Sequence, residues 1–197
     1  MCKKNIAVLV SGGGTNLQAL INAQRDGIIN SGKISLVISN NPDAYALKRA
    51  ENAEIKAVVC NKKELGDAFE SKLIELLEEN NTDIIVLAGF MCILSENFTS
   101  HFANRIINVH PSLIPSFCGK GFYGLRVHQA ALDYGVKVTG ATVHFVNEIP
   151  DGGEIIMQKA VEIKEGDTPE ILQKRVMEEA EWKILPLSLE KVCKGNE

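Results

Sequence analysis

The chain has 197 residues, a net charge of −4, 45% hydrophobic and 23% charged residues, which is the balance of a soluble globular protein of one domain. That length can bury a core without disulfides or metals as staples, and the acidic balance argues against a nucleic-acid partner, which would need a basic surface. The five cysteines (Cys2, Cys60, Cys92, Cys118 and Cys193) contain no C-x-x-C pair, so neither a zinc knuckle nor a thioredoxin-like motif is present, and scattered thiols fit a reducing compartment.

Residues 6–10 form a β-branched apolar run, too short for a signal-peptide core or a membrane span, so a cytoplasmic protein without a membrane partner is expected. Ser11-Gly12-Gly13-Gly14 ends this first strand. Leu17, Leu20 and Ile21 then follow at helical spacing up to Gly27. Residues 34–38 predict a second strand, 44–52 a helix and 56–59 a third strand. Phe69, Leu73, Leu76 and Leu77 mark one face of an amphipathic helix. Residues 83–88 read as a strand buried on both faces, 95–102 as a short helix, and 106–109 as the next strand. Residues 111–124 are too rich in Pro, Gly and aromatics for a helix and form a loop of the kind that carries function. A helix over 127–134 follows. Two long strands over 137–146 and 154–163 are joined by a turn at Pro150-Asp151-Gly152-Gly153. Thr168-Pro169 starts a last helix that runs to Pro186.

The alternation predicts an α/β fold: a doubly wound, mostly parallel sheet flanked by helices, of Rossmann type, with the C-terminal strands partly antiparallel. A single domain over residues 1–197 is expected, with 1–110 as a phosphate-binding half and 111–197 as a loop, the last strands and the last helix. Ligands of such sheets bind at the carboxyl ends of the strands. Three segments of interest end there: residues 11–16, 89–94 and 108–121.

The first of these links strand to helix through glycines, which let backbone N–H groups approach an anion at a helix N-terminus. It matches neither G-x-x-x-x-G-K-[ST] nor G-x-G-x-x-G, and a tight turn that needs glycine explains it equally well. Asn108 and His110 lie two apart on a strand and so project to the same side. Histidine moves protons near neutrality and asparagine offers a neutral donor to a developing oxyanion, although a histidine satisfied by a turn carbonyl is the blander reading. Asp151 precedes Gly152-Gly153, where a turn residue is the plain explanation and a carboxylate folded over His110 the functional one. His144, on a strand beside Val143 and Phe145, reads as structural, and His101 and His128 as surface or packing residues. No His, Cys, Asp or Glu cluster has metal-ligand spacing, so no metal is expected.

Together these stretches resemble the folate-dependent phosphoribosylglycinamide formyltransferase family: residues 11–18, 86–91, 107–115 (with Asn108-Val109-His110-Pro111-Ser112), 143–146 and Asp151-Gly152-Gly153, in the family's order. On this resemblance the loop of the 111–197 half is a folate-site loop. The resemblance implies transfer of a formyl group from 10-formyltetrahydrofolate to the amine of glycinamide ribonucleotide. It assigns Asn108, His110 and Asp151 to catalysis, and Gly14, Thr15 and Asn16 to the substrate phosphate. Glu181 is similar to a ribose-contacting acid, with Glu178 on the substrate side near it. Met91, Cys92, Ile93 and Leu94, with Asn108 and the turn Glu148-Ile149-Pro150, would line the pteridine pocket. Cys92 stands where the family often has Arg. The implied chemistry needs no covalent intermediate: His110 and Asn108 donate to the tetrahedral oxyanion, and Asp151 keeps His110 protonated. A formyltetrahydrofolate hydrolase or a methionyl-tRNA formyltransferase would bring a further domain, and a non-catalytic nucleotide-binding module would leave Asn108, His110 and Asp151 unexplained. Either a monomer or a homodimer suits the chain. Exhaustive dialysis against a chelator should leave activity unchanged; activity that collapses and returns with zinc or magnesium would refute the metal-free reading.

Overall fold

Seven strands form one sheet in the order β3-β2-β1-β4-β5-β6-β7. They are β1 (Lys4–Val10), β2 (Gly32–Ser39), β3 (Lys56–Val59), β4 (Ile84–Leu87), β5 (Ile106–His110), β6 (Val138–Phe145) and β7 (Ile155–Glu162). The computed structural model describes residues 3–195; Cys2 lies outside the described residues. Strands β1 to β5 pair in parallel, whereas β6 is antiparallel to both β5 and β7. The architecture is therefore the doubly wound, mostly parallel sheet with an antiparallel C-terminal edge that the sequence predicts.

Period-two side-chain alternation explains why β1 reads as continuously apolar. Ile6, Val8 and Val10 enter one core, with Leu17 and Leu20 of α1 (Thr15–Arg25), Ala46 and Ala50 of α2 (Tyr45–Asn52), and Leu172 and Val176 from the C-terminal helices. Ala7 and Leu9 enter the other core, with Leu73 and Leu77 of α4 (Phe69–Glu79) and Phe98 of α5 (Glu96–His101). Each fully buried Leu or Phe stabilises the fold by about 1.5–3 kcal/mol relative to exposure. The chain winds outward from β1 through β2 to β3, then returns to the other side of β1 as β4. This reversal opens a crevice at the carboxyl ends of β1 and β4, where such sheets bind ligands.

Two departures from the predicted elements occur. A one-turn helix, α3 (Lys62–Leu65), is capped by the Asn61 side chain and leads through a 3-10 turn into α4. The last helix does not end at Pro186. After α6 (Leu125–Tyr134) and α7 (Pro169–Val176), a π-helical turn at Met177–Glu181 passes into α8 (Trp182–Lys194), with Pro186 inside it. The bond that Pro186 cannot make would reach the carbonyl of Trp182, at the joint where the widened turn already disturbs the ladder. Burial of Leu185, Leu189 and Cys193 carries the helix onward.

Candidate active site

Gly14 takes the left-handed conformation, φ 71°, and caps α1. A Cβ added there would lie 2.6 Å from Cβ of Ala46, so α2 packs directly against the loop. Replacing Gly14 by valine would disrupt this packing as well as any anion contact. The first-turn N–H groups of α1 lack intrahelical acceptors and, with the helix dipole, favour an anion at this end.

Two residues further on, Asn16 reaches across the chain. Its Nδ2 donates to Glu181 Oε2 at 2.7 Å, and its buried Oδ1 has no partner among the described residues. Glu181 is 6% exposed. Burial pushes its carboxyl up to about 6, with the Asn16 bond pulling the other way. Glu178 does not share this site. It is half-exposed, lies 3.9 Å from Lys174 Nζ, and is absent from the cleft wall, because the π turn places the two acids on different faces.

The structure brings Asn108, His110 and Asp151 together. His110 is buried, and its Nδ1 lies 3.5 Å from Asp151 Oδ2. Its Nε2 donates to the Phe117 carbonyl at 2.9 Å, which leaves Nδ1 as the open nitrogen of the neutral ring. Asp151 adopts φ 57° and accepts a 2.9 Å bond from the Gly119 N–H. The expectation that Asp151 holds His110 protonated is met in sign only. Burial depresses the His110 pKa below the ordinary imidazole value, and the Asp151 carboxylate and the Phe117 carbonyl oppose it without overcoming it. Burial thus favours the neutral ring of His110. Burial likewise raises the Asp151 pKa, but His144, His110 and the Gly119 N–H outweigh it, so Asp151 stays below the usual carboxylate range.

His144 belongs to this cluster, which the sequence reading missed. It pairs in register with Asn108 across β5 and β6. Its Nδ1 donates to the Phe145 carbonyl at 2.7 Å, so its Nε2 can accept from Asn108 Nδ2 at 3.2 Å, and the same Nε2 lies 3.6 Å from Asp151 Oδ1. The signal was the spacing of Thr142 and His144, two apart on a strand antiparallel to the one that carries Asn108 and His110. His101 pairs with Glu78 at the surface, and His128 is fully buried on α6 with burial lowering its pKa to about 4, in line with surface and packing roles.

The loop before α6 is tied down from the sheet. Thr142 Oγ1 donates to the Ser112 carbonyl at 2.7 Å and accepts from the Ile114 N–H, while Gln158 Nε2 donates to the Ile114 carbonyl. A cleft of about 770 Å³ opens between this loop and the carboxyl ends of β1 and β4. Its wall includes Thr15, Asn16 and Glu181, the cluster around His110, and Met91, Cys92, Ile93, Leu94, Glu148, Ile149 and Pro150. Met91 and Ile93 are largely exposed for apolar side chains, and the Met91 N–H is held by Ser11 Oγ at 2.8 Å. Cys92 Sγ accepts from Asn40 Nδ2 at 2.9 Å, a neutral contact.

A buried carboxylate between two imidazoles, with an amide beside them at the carboxyl edge of a doubly wound sheet, defines an α/β enzyme whose site handles protons. Residues 4–189 match the family model described as formyl transferase, and the chain belongs to that family. It is 43% identical over 195 residues to the phosphoribosylglycinamide formyltransferase of Haemophilus influenzae, covering 98% of this chain and 89% of that protein. It is 47% identical over 195 residues to the trifunctional purine biosynthetic protein adenosine-3 of Bos taurus, where it covers 98% of this chain but spans only 19% of the relative's length. Its fold superposes on glycinamide ribonucleotide transformylase 1 from Symbiobacterium toebii with a TM-score of 0.91 and 41% identity, covering 98% of this chain and 89% of that one.

The raised Glu181 pKa has a consequence for stability. A carboxyl whose folded pKa is about 6 favours the fold below the unfolded value near 4.5, and that contribution is lost as pH rises through about 6. Glu181→Gln keeps the acceptor for Asn16 and removes this penalty. Thermal unfolding at pH 7 should show the variant more stable by roughly 2 kcal/mol, with the difference vanishing near pH 4. A variant less stable at pH 7 would show that the carboxylate is better compensated than its single amide partner implies.

Proposed function

We propose that the chain transfers a formyl group from 10-formyltetrahydrofolate to the amine of glycinamide ribonucleotide. The observation that carries this reading is the single cleft that joins Thr15, Asn16 and Glu181 to the apolar wall of Met91, Ile93 and Leu94, with Asn108, His110 and Asp151 lining the same space. The N-terminal loop takes the phosphate and Glu181 the ribose hydroxyls. The Met91–Leu94 segment and the turn from Glu148 to Pro150 take the pteridine.

The amine lone pair adds to the formyl carbon and places negative charge on the formyl oxygen. Asn108 Nδ2 donates to that oxygen. His110 Nε2 does the same once the oxygen replaces the Phe117 carbonyl as its acceptor, so one acceptor is exchanged for another. A removed oxyanion donor typically costs ~10²–10³ in rate. The neutral His110 suits the next step. Its open Nδ1, beside Asp151, receives a proton lost by the attacking amine, directly or through water, and the carboxylate stabilises the resulting imidazolium. The carbon–nitrogen bond to the folate then breaks as its nitrogen takes up that proton.

The direct test is incubation with glycinamide ribonucleotide and a 10-formylfolate, following the deformylated carrier spectroscopically. Release should require the ribonucleotide; release at the same rate without it would favour a formyltetrahydrofolate hydrolase. Asp151→Asn tests the proton step, since Asn tolerates the left-handed turn conformation. We expect a fall in kcat of about 10²-fold or more, together with a His110 pKa below the parent's in an NMR titration, because removal of an opposite charge disfavours the imidazolium. The depressed Asp151 pKa adds stability at neutral pH that is lost as pH falls through its folded value. The Tm difference between variant and parent should therefore shrink in acid. Unchanged kcat would return Asp151 to the role of a turn residue.

A further inference from the structure

Three successive carbonyls of the glycine loop are held from one side. Asn41 Nδ2 donates to the Ser11 carbonyl at 3.3 Å, the Ala46 N–H to the Gly12 carbonyl at 3.0 Å, and Arg49 Nε to the Gly13 carbonyl at 2.8 Å. All three donors belong to the segment that follows β2 and to α2. A trans peptide is planar, and its N–H points opposite to its C=O. Fixing these carbonyls towards α2 therefore turns the N–H groups of Gly12, Gly13 and Gly14 away from α2. None of the three donates to another backbone group among the described residues.

Arg49 is the strongest of the three holds. Besides Gly13 it binds Gln18 Oε1 of α1 through Nη1 at 3.0 Å, and its guanidinium lies 5.0 Å from the centroid of the Tyr45 ring. Its Cδ would lie 3.4 Å from a Cβ on Gly14. One side chain thus fixes the loop, the first helix and the second helix together. Its polar partners are neutral, so its charge remains available beside the loop. A guanidinium can bind two acceptors in its plane while an aromatic ring covers its face, whereas an ammonium cannot reproduce that combination.

Building on the function proposed above, we infer that Arg49 is a positioning residue for the substrate phosphate. It orients the Gly13–Gly14 peptide so that its N–H faces the anion, and it adds an uncompensated positive charge near it. It does not act on the formyl transfer itself. Its effect must therefore depend on the phosphate, which separates it from a residue that merely holds the fold.

The test is calorimetric binding of glycinamide ribonucleotide and of the corresponding riboside, which lacks the phosphate, to the parent, Arg49→Met and Arg49→Lys. The parent should bind the ribonucleotide more tightly than the riboside. Arg49→Met should lose about tenfold or more in affinity for the ribonucleotide, the size of a lost charge-assisted bond, and less than about twofold for the riboside. Arg49→Lys, which keeps the charge but not the two-acceptor fork, should fall between the two. In steady state the KM for the ribonucleotide should rise, while kcat at saturation and the KM for the folate stay near the parent's. An equal loss on both ligands would make Arg49 a fold residue and overturn the inference. Full affinity in Arg49→Lys would overturn the peptide-orienting part of it. A parent that binds ribonucleotide and riboside equally would instead refute the phosphate reading of the loop, and with it the substrate proposed above.

Discussion

A carboxylate removed from water must be met by donors or positive charge, or lose its own charge. Asp151, in the turn before β7 and only 14% exposed at its side chain, is faced by groups from three other segments. The Gly119 N–H donates from the loop between β5 and α6, while His110 from β5 and His144 from β6 each set a ring nitrogen near the carboxylate, at 3.5 Å and 3.6 Å, where an imidazole that gains a proton is stabilised. The turn can approach β6 this closely because Gly153 has no Cβ; one added there would sit 1.8 Å from the Phe145 carbonyl oxygen. That same carbonyl takes the Nδ1–H of His144 and so sets which imidazole nitrogen faces Asn108 and Asp151. The chain from Gly153 through Phe145 and His144 to Asp151 is a closed circuit of backbone and side chain.

The change from parallel to antiparallel pairing at β5 and β6 makes this circuit possible. A parallel neighbour of β5 would be followed by a crossover, and its carboxyl end would lie beside that of β5. Antiparallel β6 instead runs past His110 and Asn108 in opposite sense, which sets Thr142 opposite His110 and His144 opposite Asn108. Thr142 then holds the loop at Ser112 and Ile114, while His144 serves the cluster. One face of one strand thus anchors both the loop and the cluster.

The central strands were legible in the sequence because burial on two faces leaves continuous apolar runs, and the edge strands β3 and β7, less buried, were legible from the turn residues that bound them. The placement of Asn108 beside His110 followed from period two alone. What stayed hidden depended on contacts between distant segments. His144 looks like an ordinary strand residue until the register with β5 is known. The protonation of His110 could not be read from a nearby carboxylate, because burial, which the sequence does not display, acts in the opposite direction and wins. The resemblance set Glu178 on the substrate side near Glu181, and a spacing of three on a regular α-helix would share a face; the π turn separates them. The last helix outran Pro186 because packing of Leu189 and Cys193 outweighs one missing hydrogen bond. The division into residues 1–110 and 111–197 is also crossed, since Glu181 bonds to Asn16 and Met91 shares a wall with Ile149.

The cleft holds two buried carboxyl groups that the same physics drives apart. Desolvation raises both. Asp151 has two imidazoles and a backbone N–H to offset the cost, so it keeps its charge across the neutral range and acts as a fixed element of the site. Glu181 has only the amide of Asn16, whose own oxygen is left without a partner among the described residues. It sits near its titration point with unused acceptor capacity. A hydroxyl-bearing ligand would supply the missing donors, and each bond it gave would favour the charged form and lower the carboxyl's pKa. A ligand hydroxyl can thus add bonds at Glu181 and Asn16, whereas Asp151 needs nothing from the ligand to stay ionised. The same desolvation leaves Asp151 with its partners already in place and Glu181 with acceptor capacity open to the cleft.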